Sequence, residues 1–219
     1  MDRLSFLEQA LPTWCALSEI DEIIIVDWGM KEDLQSLIKG VNDDRICVLH
    51  VPNKIHFDAG AAHNLGIRYA NEGYVFVIDC DIIVNKSPFL LIDINSNNKF
   101  YNINDVKSLA GTCIFKKYMW EKVNGYVEGL LGWGGEDDNF YDRLIKKEFQ
   151  KVNISSDYLT HIHHDDKLRI KNMVLKGSPK ETANMNEERL KTLNVQTQIH
   201  SKYLCHIVNK NSILKNQLI

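Results

Sequence analysis

The chain has 219 residues, a formal net charge of −3 and 44% hydrophobic residues. That is enough for one sizeable domain, gives no reason to expect a nucleic-acid partner, and includes no apolar run near the roughly 20 residues of a membrane span. The N-terminus has no basic region followed by an apolar core, so no signal peptide is expected; five scattered cysteines, Cys15, Cys47, Cys80, Cys113 and Cys205, form no Cys-x-x-Cys pair and read as reduced thiols of a cytoplasmic protein.

Residues 3–17 carry Leu4, Leu7, Leu11 and Trp14 at helical spacing, with Pro12 predicting a kink or a new start. Ile23 to Val26 is a β-branched run that reads as a buried strand delivering Asp27 to its C-terminal edge. A helix from Glu32 to Lys39 and a strand from Ile46 to Val51 follow. Asp58 is placed to cap a helix from Ala59 to Asn71. Tyr74 to Ile78 is the most strand-like run and ends in Asp79-Cys80-Asp81. This alternation predicts a doubly wound, mostly parallel sheet flanked by helices, with ligands beyond the C-terminal strand ends. Asn85 to Asp105, rich in Asn, Asp and Lys, reads as a loop. Beyond it come a strand (Leu109 to Phe115), a short helix (Tyr118 to Val123), a helix from Glu136 to Phe149, a strand (Val152 to Ser155) and a polar helix at 184–194. The last 25 or so residues read as a weak amphipathic helix or a loose tail. The expected layout is a single domain over 1–219, with halves at 1–105 and 106–180 and a helical tail at 181–219.

Three constellations carry chemistry. The most specific is Leu130 to Asn139, Leu-Leu-Gly-Trp-Gly-Gly-Glu-Asp-Asp-Asn. Paired glycines permit backbone angles that other residues resist, Trp133 offers a flat apolar face and one N–H donor, and three acids open a helix whose dipole favours their ionised forms. An ordinary acidic N-cap after a glycine turn is the plainer reading. The second is Asp79-Cys80-Asp81, whose carboxylates alternation sends to one side; oxygen ligands suit Mn²⁺ or Mg²⁺. The third is His161-Ile162-His163-His164-Asp165-Asp166-Lys167-Leu168-Arg169, which could complete a metal site begun by Asp81 and, through Lys167 and Arg169, face phosphate oxygens. Gly60 to Ala62 and Asn64 mark a small-residue helix that fits tight packing on a sheet or an approach to a nucleotide.

Taken together, Asp27, Asn64-x-Gly66, Asp79-x-Asp81, Gly111, Asn124-Gly125-Tyr126 and Gly132 to Asp138 resemble the nucleotide-sugar glycosyltransferases of GT-A fold. The last run is similar to the acceptor-side motif of β-1,4-galactosyltransferases and of bacterial capsule-type hexosaminyltransferases. The resemblance spans about residues 3–170. It implies that Asp27 and Asn64 sit at the nucleotide and that Asp81, with Asp79 beside the donor, holds Mn²⁺ against the diphosphate. It also implies His163 as the second protein ligand, with His161 and His164 as rivals. Trp133, Gly134, Glu136 and Asp138 would shape the sugar and acceptor sites, Lys167 would meet phosphate, and Asp137 would be the general base. Members of the family begin with a strand whose end helps to bind uracil; Met1-Asp2-Arg3 resembles the turn after that strand, so the expectation is either that the first strand is missing or that the fold begins differently. The implied activity is an inverting, divalent-metal-dependent transfer from a UDP-sugar to a glycan or glycolipid acceptor, with peripheral membrane contact of residues 184–219 left open. The alternative is a non-catalytic sugar-binding module.

Overall fold

The computed structural model describes residues 3–29, 34–130, 132–175, 177–193, 202–209 and 212–218. In chain order its elements are α1 (Leu4–Cys15), β1 (Ile23–Trp28), α2 (Leu34–Val41), β2 (Ile46–Val51), α3 (Ala59–Tyr69), β3 (Tyr74–Val77), β4 (Ile82–Val84), β5 (Lys99–Asn102), β6 (Cys113–Lys116) and α4 (Lys117–Lys122). They continue with α5 (Glu136–Lys146), β7 (Gln150–Asn153), β8 (Leu159–His161), α6 (Asp166–Ile170), α7 (Pro179–Thr192), β9 (Leu204–Asn209) and β10 (Ser212–Leu218). The α/β expectation holds, but the sheets are mixed. They run β1-β2-β9-β10, β3-β6-β5-β7 and β4-β8. Only β1–β2 and β5–β7 pair in parallel; the other described pairings are antiparallel.

Two segments differ from their sequence reading. The polar stretch from Asn85 to Asp105 contains β5, whose Phe100, Tyr101 and Asn102 are buried between β6 and β7; its short apolar core is hidden among Asn and Lys residues, so composition alone reads as loop. In the stretch expected as a helical tail, α7 is helical, but the described residues beyond it form strands. β9 adds an antiparallel strand to β2, with His50 opposite His206, and its Cys205 and Ile207 fill the core beneath Trp28, Leu49 and Leu65.

α1 runs straight through Pro12 and buries Leu7, Ala10, Leu11 and Trp14. It fixes the start of β4: Trp14 Nε1 donates to the Ile82 carbonyl at 2.9 Å, and the Val84 N–H donates to Thr13 Oγ1 at 3.0 Å. Arg45 closes the other end of α1 by donating to the carbonyls of Cys15, Leu17 and Ile20, a cation meeting the exposed carbonyls of a helix C-terminus. Its guanidinium also holds the Asp43 carboxyl well below the usual carboxylate range.

α3 grips the segment that leads to the glycine-Trp turn. Asp58, its N-cap, accepts from the N–H of Ala61 at 3.0 Å and from that of Gly129 at 2.7 Å. A Cβ on Gly60 would stand 1.9 Å from the Val127 carbonyl oxygen, so only glycine allows the backbones to approach this closely. Asn64 is fully buried. Its amide donates to the Tyr126 carbonyl and to Glu128 Oε1, both at 2.9 Å, and accepts from the Tyr126 N–H at 2.8 Å and Trp120 Nε1 at 2.9 Å. Removing this amide would strand several buried groups, each costing about 1–3 kcal/mol. Asn64→Ala is therefore expected to lower stability by about 3 kcal/mol, read as a fall in the urea midpoint at unchanged slope.

Candidate active site

Asp81, His161 and His164 come together through the pairing of β4 with β8. That register sets Ile82 opposite His161, and the Ile162 N–H donates to the Asp81 carbonyl at 2.7 Å. One oxygen of Asp81 and one nitrogen of each histidine lie within 4.8 Å of one another. His164 Nε2 is 2.9 Å from Asp81 Oδ2 and His161 Nε2 is 3.9 Å away. Asp81 is 3% exposed. The Arg3 guanidinium pairs with its Oδ2 and lies 3.1 Å from His164 Nε2, so a cationic group already sits among the three. His163, expected as the ligand, is exposed and outside this group. The physical reason is that β8 ends at His161: strict alternation would have kept residues 161 and 163 on one side, but the chain leaves the strand and turns His164 back instead.

The Asp-x-Asp pair is also divided. β3 stops at Val77 and residues 80–81 form a turn, so alternation no longer governs the two carboxylates. Asp81 is buried in the histidine cluster, whereas Asp79 is exposed and acts electrostatically on Glu136 and Asp137.

Those two acids open α5. Gly134 and Gly135 have φ of 89° and 97°, values that favour glycine, and Gly135 is the helix N-cap. The helix is held from below by Phe140, stacked on Tyr126 with centroids 4.1 Å apart, and by Tyr141 Oη, which donates to the Ala110 carbonyl at 3.0 Å. That bond brings Gly111 under Asp137, where a Cβ would lie 2.9 Å from Asp137 Oδ2. Asp137 Oδ1 is buried with no hydrogen-bond partner in the protein. Burial, followed by the charges of Glu136, Asp79 and Asp138, raises the Asp137 carboxyl well above its ordinary range. Glu136 is pushed up to about 7, by burial first and then by Asp79, Asp58 and Asp138. A carboxylate of raised basicity is suited to take a proton from a hydroxyl near neutral pH. Asp138 is exposed beside them. Trp133 is half-buried, with Lys107 Nζ 5.7 Å from its ring centre.

Asp27, one residue before the end of β1, is 8% exposed, with His50 Nδ1 2.5 Å from its Oδ2; sequence reasoning gave His50 no role, although its place opposite Asp27 in the β1–β2 register could have suggested one. Lys167 is exposed on α6; the side chain of Arg169 lies outside the described residues. Two expected substrate contacts are corrected. Asn64 spends both donors and both lone pairs on the protein. The Gly134 carbonyl accepts from Asn186, and its open side faces Ala183 of α7.

Comparison with known proteins gives this arrangement a family. A model described as glycosyl transferase family 2 matches residues 3–91, and one described as the N-terminal domain of galactosyltransferase matches residues 92–165. The two matches adjoin and together run over residues 3–165, and the fold is the GT-A fold. Two solved structures are similar to this chain, both of Drosophila β-1,4-galactosyltransferase 7. A mutant in complex with manganese, UDP-Gal and xylobiose has a TM-score of 0.60 and 17% identity, covering 100% of this chain and 89% of that one. The catalytic domain in complex with xylobiose has a TM-score of 0.59 and 19% identity, with the same coverage. A hyaluronan synthase of Pasteurella multocida is 34% identical over 65 residues, which is 29% of this chain and 7% of that relative's length. Among the described residues no helix is long and apolar enough to cross a membrane. The seam between the two family segments falls at 91/92, within the stretch read from sequence as a loop.

Proposed function

We propose that this chain is an inverting glycosyltransferase that moves a hexose or N-acetylhexosamine from a UDP-sugar to a hydroxyl of a glycan or glycolipid. The observation that carries the reading is Asp137: a carboxylate oxygen buried without a partner, at the glycine-Trp turn, in surroundings that raise its basicity. A hydroxyl brought to this oxygen gives it the missing hydrogen bond and loses its proton to it as the new bond forms. Attack from the face opposite the leaving diphosphate inverts the anomeric centre, and positioning supplies much of the rate. Trp133 provides an apolar face for a sugar ring. Asp27, oriented by His50, is suited to accept hydrogen bonds from a nucleoside. Similarity to a galactosyltransferase solved with UDP-Gal and xylobiose supports the donor and acceptor classes.

The cluster of Asp81, His161 and His164 fits a divalent ion. One carboxylate oxygen and two imidazole nitrogens form a donor set that suits Mn²⁺, and the Arg3 guanidinium shows that positive charge is favoured at this point. The chemistry such an ion supplies when bound is neutralisation of charge on the departing diphosphate. The reading places synthesis of a surface polysaccharide or glycolipid on the cytoplasmic side.

The test is a thermal shift on this chain with UDP, with and without Mn²⁺. At a hundredfold the dissociation constant, UDP with Mn²⁺ is expected to add about 2.7 kcal/mol of stability, and UDP alone much less. A folded protein that responds to neither would sink the donor assignment and favour the non-catalytic sugar-binding module.

A further inference from the structure

Helix α7 lies beyond both family matches, which end at residue 165, yet it seats on the glycine-Trp turn. Asn186 is 1% exposed, and its amide donates to the carbonyls of Gly132 and Gly134, at 2.9 and 2.8 Å. These two carbonyls flank Trp133. Thr182, also 1% exposed, accepts from the Trp133 N–H at 3.3 Å and packs so closely that a Cβ on Gly132 would stand 2.5 Å from its own Cβ. On Gly134 and Gly135 a Cβ would come to 3.4 Å from Ala183 and 3.3 Å from Leu190. Three glycines of the motif thus form a socket for α7 as well as a turn before α5. A capping box at Ser178 and Glu181 fixes the start of α7 at Pro179, less than one turn before Thr182.

We infer that Asn186 is a positioning residue for transfer, holding the turn so that Trp133 and the Asp137 end of α5 keep a fixed relation. The argument is one of hydrogen-bond accounting. Both amide hydrogens of a buried side chain are spent on the carbonyls of the two glycines on either side of Trp133, and the Trp133 peptide N–H is met by the same helix. Without that brace, the turn has two left-handed glycines in sequence, which constrain the backbone little by themselves. Catalysis is sensitive to small misplacements of the groups that hold a reacting pair. The inference rests on the transferase reading above, since it assigns Asn186 to the working end of that same site.

The experiment is steady-state kinetics of UDP release from a panel of UDP-hexoses and UDP-N-acetylhexosamines with Mn²⁺, with the sugar passing to xylobiose or, in its absence, to water, on the wild type, Asn186→Ala, Trp133→Ala and the double variant. Asn186→Ala is expected to lower kcat about tenfold or more while the donor KM stays within about twofold. In the Trp133→Ala background the same change is expected to have little further effect, because the group it positions is gone. A helix with a purely structural role would instead lower kcat by the same factor in both backgrounds, and that additivity would overturn the inference. So would an unchanged kcat, or a donor KM that rises in step. If Asn186→Ala does not fold, Thr182→Val answers the question: it keeps the packing on Gly132, deletes the partner of the Trp133 N–H, and is expected to lower kcat severalfold at constant donor KM. An unchanged kcat in that variant also refutes the role. A wild type that releases no UDP from any donor in the panel overturns the transferase reading itself.

Discussion

Replacing Asp137 by Asn is expected to cut turnover by about 10²–10⁴ while leaving the affinity for UDP intact. The change is nearly isosteric and keeps an oxygen toward the site, but an amide cannot take a proton from the attacking hydroxyl. It also removes one charge from the acidic neighbourhood of Glu136, Asp79 and Asp138, so the folded protein is expected to be no less stable than the wild type. Loss of turnover therefore cannot be assigned to unfolding, and full activity would remove Asp137 from the mechanism. The pH profile makes a second demand. Since the base works ionised, and burial and neighbouring acids raise its carboxyl, activity is expected to rise with pH along a limb above the ordinary carboxylate range. Glu136→Gln removes the neighbouring charge that contributes most to that rise after burial, and is expected to move the limb to lower pH. A limb that stays in place would mean that another group sets it.

Asp81→Ala is expected to abolish the Mn²⁺-dependent part of UDP binding, a loss of most of the ~2.7 kcal/mol of ligand-induced stabilisation given above. The same change leaves Arg3 without its carboxylate partner, so the ligand-free protein also melts earlier. The comparison must be the shift produced by ligand, not the melting temperature alone. The histidines give a sharper contrast. His164→Ala is expected to weaken Mn²⁺-dependent binding strongly, because its Nε2 lies 2.9 Å from Asp81 Oδ2. His163→Ala is expected to change it little, since His163 is exposed. The opposite ranking, measured by titrating Mn²⁺ against fixed UDP, would restore the sequence-based choice.

Periodicity and turn chemistry made most of the first half legible. The β-branched run at Ile23 to Val26, the Asp58 cap and the apolar strand at Tyr74 all lie where the pattern put them, because each is specified by neighbours a few residues away. The glycine-Trp run was readable for a different reason: its combination of residue types is rare. What escaped the sequence depends on distant partners. β5 is a strand because β6 and β7 enclose it, not because its surroundings favour one. His164 takes the place given to His163 because β8 ends one residue after Thr160. Asn64 looked like a ligand contact because amides are uncommon inside helices, yet the same property makes it a brace for Tyr126. β9 was invisible as a strand, since its pairing is with β2, more than 150 positions earlier, and β10 in turn pairs with β9.

The hydrogen bonds from α3 to residues 126–129, the β3–β6 pairing and the β4–β8 pairing all cross the seam at 91/92 where one family segment gives way to the other. The two segments match separate family models, yet they share buried contacts. Neither can satisfy its own buried polar groups without the other, so the chain is expected to melt in one cooperative step. Grafting a donor half from one relative onto an acceptor half from another would require exchanging both faces of each of these contacts together.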